Sequence, residues 1–229
     1  MKTILKLFIS VLFCMSVQTS SAGILTIGFS ENNLLIKQTD GNDKEAQVTS
    51  SSGKVLEFNY TYFLSQGSTI FVNLSQSTGK ILEDTSIDLN SYDYKLSRIE
   101  PGYALRGSFG GVALKVVSKQ SLYLDISSSN IKVKQARINY GGGQLYLATQ
   151  IKGPYSLTLN VGYFNLINGG KILSDRIEKG YLLTSAIAFR FTTKDFIFDL
   201  FSRLELEKTE LKYQTIKTTT INIGIKLHI

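Results

Sequence analysis

Thr220-Ile221-Asn222-Ile223-Gly224-Ile225-Lys226-Leu227-His228-Ile229 alternates without a break, five apolar residues against five that are polar or small. A β-strand sends successive side chains to opposite faces, so a strand here has one wholly apolar face and one polar face. The same two-residue period recurs upstream. Leu56, Phe58, Tyr60, Tyr62 and Leu64 oppose Glu57, Asn59 and Thr61. Tyr155, Leu157, Leu159, Val161 and Tyr163 oppose Ser156, Thr158, Asn160 and Gly162, and Phe196, Phe198, Leu200, Leu204 and Leu206 oppose Asp199, Arg203, Glu205 and Glu207.

The first 22 residues have the anatomy of a secretory signal. Lys2 and Lys6 precede a largely apolar run from Leu7 to Val17, and Ser20-Ser21-Ala22 offers small residues before a cut at Gly23. The run is too short for a membrane-spanning helix, which needs about 20 residues. Cys14 lies inside it behind Phe13, which argues against a lipoprotein. Residues 23–229 form the expected mature domain, without Cys and therefore without disulfide or thiolate metal chemistry. Losing two of the 25 basic residues and none of the 18 acidic ones leaves a net charge of +5. That charge is mild and scattered, so no nucleic-acid partner is expected.

Two segments match over eight positions: Arg98-Ile99-Glu100-Pro101-Gly102-Tyr103-Ala104-Leu105 and Arg176-Ile177-Glu178-Lys179-Gly180-Tyr181-Leu182-Leu183. Gly79-Lys80-Ile81-Leu82 and Gly170-Lys171-Ile172-Leu173 stand upstream of them. On this frame the alternation predicts ten strands, at 24–38, 54–65, 69–76, 102–118, 120–139, 143–152, 155–167, 180–193, 195–208 and 215–229. Parity slips near Gly107–Gly111 and Ser127–Asn130 are expected bulges or extra turns. Tight turns fall at Gln66-Gly67-Ser68, Lys119, Gly153-Pro154 and Lys194. Longer links fall at 39–53, 77–101, 140–142, 168–179 and 209–214.

A signal segment, dyad-period strands and alternating short and long connections resemble a bacterial outer-membrane β-barrel protein. The resemblance implies an all-β, antiparallel, up-and-down transmembrane barrel with its short turns and both termini in the periplasm. The polar face is rich in small residues such as Ala148, Gly162, Ala186, Ala188, Thr220 and Gly224, which suits a narrow lumen better than a solvated outer wall. Tyr103, Tyr155, Tyr163 and Tyr181 near strand ends fit interfacial aromatics. The last residue is Ile229, where such barrels typically end on an aromatic.

Charges facing a narrow lumen are costly unless paired. Arg190, Arg203, Glu205 and Lys226 are therefore expected to form a structural ion-pair network; the alternative is a partly water-filled lumen with solvated charges. Catalysis has little support. Residues 23–229 hold one histidine, His228, at the end expected to face the periplasm. Proteases of the omptin kind share the strand count but carry their histidine and acids at the opposite end, so the resemblance fails where the chemistry resides. Glu83, Asp84 and Asp88, or Asp40, Asp43 and Glu45, lack the spacing of a calcium loop, and no cofactor or metal site is assigned. Gly141-Gly142-Gly143 opens no helix and is read as a loop apex.

The sequence thus points to a non-enzymatic barrel in outer-membrane lipid, with loops 39–53, 77–101 and 168–179 available to an extracellular ligand or surface partner. The rival readings are a narrow pore for small solutes and a soluble secreted β-barrel that binds an apolar ligand.

Overall fold

The computed structural model describes residues 23–41, 45–82, 89–126, 131–169, 171–172, 175–194 and 196–229. The expected signal segment, the parity slip at Ser127–Asn130, and the acids Asp43, Glu83, Asp84 and Asp88 lie outside them. Among the described residues there are twelve strands: β1 (Gly23–Asp40), β2 (Glu45–Thr49), β3 (Gly53–Ser65), β4 (Ser68–Ile81), β5 (Tyr92–Arg106), β6 (Gly110–Asp125), β7 (Lys132–Lys152), β8 (Tyr155–Asn168), β9 (Lys171–Ile172), β10 (Asp175–Thr192), β11 (Ile197–Leu211) and β12 (Gln214–His228). Ten of them form an antiparallel wall in the order β1-β3-β4-β5-β6-β7-β8-β10-β11-β12. The ladder from Thr26–His228 to Asp40–Gln214 returns β12 to β1 and closes the barrel. Closure removes the free sheet edges that an open sheet would expose.

β2 continues β3. Its register on β1 runs Leu35–Thr49, and that of β3 runs Asn32–Gly53, so three steps on β1 face four on its partner. The extra residue is a bulge at 50–52, where Ser50 N donates to Leu34 O and Ser51 N to Lys80 O, each at 2.8 Å. The expected loop 39–53 is therefore mostly wall, because its serine-rich stretch is a bulge and not a loop. The expected loop 77–101 shrinks likewise, as β4 runs to Ile81 and β5 begins at Tyr92. In 168–179, residues from Asp175 onward belong to β10.

The middle of the chain departs furthest from expectation. Strands read at 102–118, 120–139 and 143–152 are instead β5, β6 and β7. The slip at Gly107–Gly111 contains the turn itself, closed by Gly107 N donating to Gly110 O at 2.7 Å. Lys119 is mid-strand, and the Gly141–Gly143 run lies inside β7, paired to β6 and β8. Pro101 concealed the start of β5. It pairs with Val72 on β4, while the ladder to β6 skips Glu100 and Pro101, which absorbs the missing N–H.

Side chains divide the barrel into two tiers. In the lower tier, near the short turns, the outer face is apolar: Leu227, Ile225, Ile223 and Ile221 on β12, and Phe198, Leu200, Leu204 and Leu206 on β11. Ile223 is 64% exposed and its inward neighbour Asn222 only 6%. Higher on the same strands the faces exchange character. Thr219, Lys217 and Thr215 point outward, and Thr218 gives way to buried Ile216 inside. On β1 the outward series Leu25, Ile27, Phe29 becomes Glu31, Asn33, Leu35 and Lys37, in which Leu35 is half-buried, while the inward series Thr26, Ser30, Asn32 becomes Leu34 and Ile36. The upper tier consequently holds an apolar core that includes Leu34, Ile36, Ile81, Tyr94, Leu124, Tyr140, Phe164 and Leu182.

Candidate functional site

The lower lumen contains the charged groups. Strands β3, β5, β6, β11 and β12 each bring inward-facing ionic residues to one layer, because period-two alternation keeps positions 57, 98, 100, 115, 119, 203, 205, 207 and 226 on the inner face. Glu57 accepts from Arg203 at 3.0 Å and from Lys226 at 2.8 Å. Arg98 reaches Glu205 at 2.5 Å, joining β5 to β11, which stand diametrically opposite in the ten-strand wall. Arg98 also contacts Glu100, which Lys115 approaches to 2.8 Å. Lys119 pairs with Glu207 at 2.9 Å and lies 3.7 Å from Glu205, and Arg203 lies 3.9 Å from Glu205. Tyr140 and Ser121 donate hydroxyl hydrogen bonds to Glu207 at 2.6 and 3.0 Å. Nine ionic side chains thus form one connected layer across the lumen, with five cations and four anions.

Gly28 makes part of this layer possible. It lies on β1 between Lys226 and Glu57, and a Cβ there would sit 3.1 Å from Lys226 Cγ and 3.3 Å from Glu57 Cβ. The missing side chain leaves the lysine stem room to cross its neighbour strand.

Of the four residues expected from sequence, Arg203, Glu205 and Lys226 join the layer, although Lys226 reaches Glu205 only through Glu57 and Arg203. Arg190 does not join it. Its guanidinium grips Asp199 lower in the lumen, with Nε at 2.7 Å and Nη2 at 3.0 Å from the carboxylate oxygens. His228 Nε2 lies 2.8 Å from the same carboxylate, and its Nδ1 faces the Thr26 hydroxyl at 3.3 Å. His228 Nε2 also lies 3.2 Å from Arg190 Nη2, so the ring joins the Arg190–Asp199 pair in one three-way contact. The residues missed were Glu57, Arg98, Glu100, Lys115, Lys119 and Glu207. Their alternation was readable, but the match between opposite walls depends on register.

The ionic layer separates two spaces. Below it, a chamber of about 350 Å³ is lined by Thr26, Asn59, Asn73, Gln144, Asn160 and Arg190 and reaches the rim at Ile24 and His228. Above it is a pocket of about 70 Å³ between Asn32, Ser77, Gln120 and Thr220. Arg98 and Arg203 line both. Among the described residues, no three His, Cys, Asp or Glu side chains are grouped to hold a metal ion.

No protein-family model and no curated protein matches the chain. Solved structures do. The outer membrane protease OmpT from Escherichia coli superimposes with a TM-score of 0.57 at 9% identity, covering 93% of this chain and 100% of that one. An outer membrane channel from Pseudomonas putida F1 gives 0.43 at 9% identity, covering 93% and 97%. Neisserial surface protein A gives 0.38 at 9% identity, covering 91% and 98%. The likeness to OmpT is close enough to concern the fold and too distant in sequence to carry its protease activity. The chain therefore shares the closed antiparallel barrel fold of the small outer-membrane β-barrels.

Proposed function

We propose that this protein is an outer-membrane barrel whose role is structural or interactive, and that its upper tier stands outside the bilayer as a rigid platform for a surface partner. One observation carries this reading: the outer wall changes from apolar to polar along each strand while its alternation persists. The apolar outer run on β11, from Phe198 to Leu206, covers nine residues, and so does that on β8 from Tyr155 to Tyr163. A tilted strand needs about 9–11 residues to cross the hydrocarbon. β11 and β12 each have 15 residues and β10 has 18, so the wall continues well beyond that band. The polar extension, together with the tips of the long links, supplies the binding surface.

The extension lies at the end away from the short turns and from Gly23 and Ile229, the orientation expected of an exported barrel. The nine-member ionic layer favours a closed lumen over a pore. The experiment is labelling of whole cells with a membrane-impermeant thiol reagent, using Lys37→Cys and Ile223→Cys. Residues 23–229 contain no cysteine, so each variant carries one reactive site once the proposed signal segment, with Cys14, is removed. Labelling at position 37 with protection at 223 supports the reading. Equal labelling at both would favour the soluble barrel, and no labelling at 37 would reverse the orientation.

A further inference from the structure

The top of the β6–β7 hairpin is not part of the wall. The β5–β6 ladder ends at Arg98–Lys119, although both strands continue for several residues beyond. The β7–β8 ladder reaches only to Asn139–Asn168. Above these points β6 and β7 pair with each other, from Lys119–Ile138 to Asp125–Lys132. Leu122, Tyr123, Leu124 and Asp125 are buried in succession, so both faces of this strand segment are covered. A wall strand would expose every second residue. The segment is an arm folded into the barrel mouth.

Side chains replace the missing ladder. Gln38 of β1, across the barrel, donates to Leu124 O at 2.5 Å and accepts from Leu124 N at 2.8 Å. Gln120 accepts from the backbone N and the hydroxyl of Ser97 on β5, both at 2.9 Å. Gln135 Nε2 also donates to Tyr92 Oη at 3.3 Å, Arg137 Nη2 to Ser97 Oγ at 2.8 Å, and an isolated bridge joins Leu89 to Ile131, so scattered bonds hold the arm where each wall seam has a run of backbone pairs.

The arm fills a compartment of two characters. Its apolar walls come from Leu34, Ile36, Ile81, Tyr94, Leu211 and Ile216, packed with Leu122 and Leu124 of the arm in one core. Its floor is the ionic layer, where Ser121 of the arm donates to both oxygens of Glu207 at 3.0 Å. The arm presents a hydroxyl to a carboxylate floor with leucines above it.

We infer that the compartment is a binding site for a long-chain amphiphile with a hydroxyl head, and that the β6–β7 arm occupies it until ligand displaces it. The head group takes the place of Ser121 on Glu207, and the chain takes that of Leu122 and Leu124. Ligand and arm compete for one space, so anything that loosens the arm without touching the ligand tightens binding. The inference rests on the arm and its compartment and does not require the surface role proposed above.

The test measures binding of a fluorescent long-chain alcohol to the folded barrel in amphipol, free of detergent, with unlabelled dodecanol as competitor. Saturable binding at one site is expected, and Gln120→Ala is expected to tighten it about tenfold, since the two hydrogen bonds from Ser97 that hold the arm to β5 are lost while the walls taken by the chain are unchanged. Ser97→Ala serves as a second variant that weakens the same latch from β5, and heat-dependent gel mobility verifies that each is folded. Tightening in a folded variant supports the inference. Partitioning without saturation, or unchanged or weaker binding in both variants, overturns it.

Discussion

The lower and upper tiers of this barrel are built from the same strands and are inverted versions of each other. On β12, Ile221 to Leu227 face outward over Asn222 and Lys226; a few residues earlier, Lys217 faces outward and Ile216 inward. The alternation never slips along this strand, so the inside stays the inside. What changes is the residue type on each face: below, the outside is apolar and the inside charged; above, the outside is polar and the inside an apolar core. The proposed placement puts lipid around the first and water around the second. The lower tier follows the logic of a membrane barrel and the upper tier that of a soluble one. Strand alternation sets which residues share a face, and the choice of residues along that face sets the depth.

The largest expected effect comes from breaking the ionic layer. Arg98→Ala leaves Glu205 and Glu100 with reduced compensation in a buried site, and loss of one partner of a buried pair typically costs about 3–5 kcal/mol. Urea unfolding from lipid vesicles should show it as the lowest midpoint of the variants described here. Replacing Arg98 and Glu205 together by methionine should restore much of the loss.

In the upper tier the sensitive element is the core. Ile36 is fully buried, and Ile36→Ala should cost about 2–5 kcal/mol in the same assay. Ile223→Arg places a charge on the apolar band and should cost about 2–4 kcal/mol near the bilayer midplane. Thr219→Arg, one outward position above Ile221, should cost about 1 kcal/mol or less, as expected near the interface. A large penalty at Thr219 would place the lipid boundary higher than the residue pattern does. The smallest effect is expected from Lys217→Gln, an exposed change worth about 0.5 kcal/mol or less.

Much of the wall was legible from sequence, including the dyad period, ten wall strands and the tight turns at Gln66-Gly67 and Gly153-Pro154. The signals that misled were local ones. Pro101 fell within the link read at 77–101, the Ser50–Gly53 stretch within the link read at 39–53, and the Gly141–Gly143 run was read as an apex. Tertiary pairing absorbed each of them as a skipped ladder step, a bulge and an ordinary strand segment.

The two similar segments show why the ionic layer was only partly readable. In Arg98-Ile99-Glu100 the charges face inward and Ile99 outward. In Arg176-Ile177-Glu178 it is Ile177 that is buried, beside a bulge that offsets the register between Ile177 and Lys179. The isoleucine of the shared triplet therefore meets opposite sides of the wall, because a one-residue shift exchanges the faces. Contacts such as Arg98–Glu205 join strands five places apart, and local spacing does not report which residues meet across a lumen.

The account turns on the exchange of faces, and site-directed spin labelling along the outer face of β12 tests it most directly. Single cysteines at positions 215, 217, 219, 221, 223 and 225, in the barrel reconstituted in lipid vesicles, would be compared for collision with oxygen and with a water-soluble nickel complex. The expected result is nickel access at 215–219, oxygen access at 221–225, and a crossover between Thr219 and Ile221. Uniform nickel access would make the whole wall a soluble surface, and uniform oxygen access would bury the upper tier in lipid; either would contradict the account.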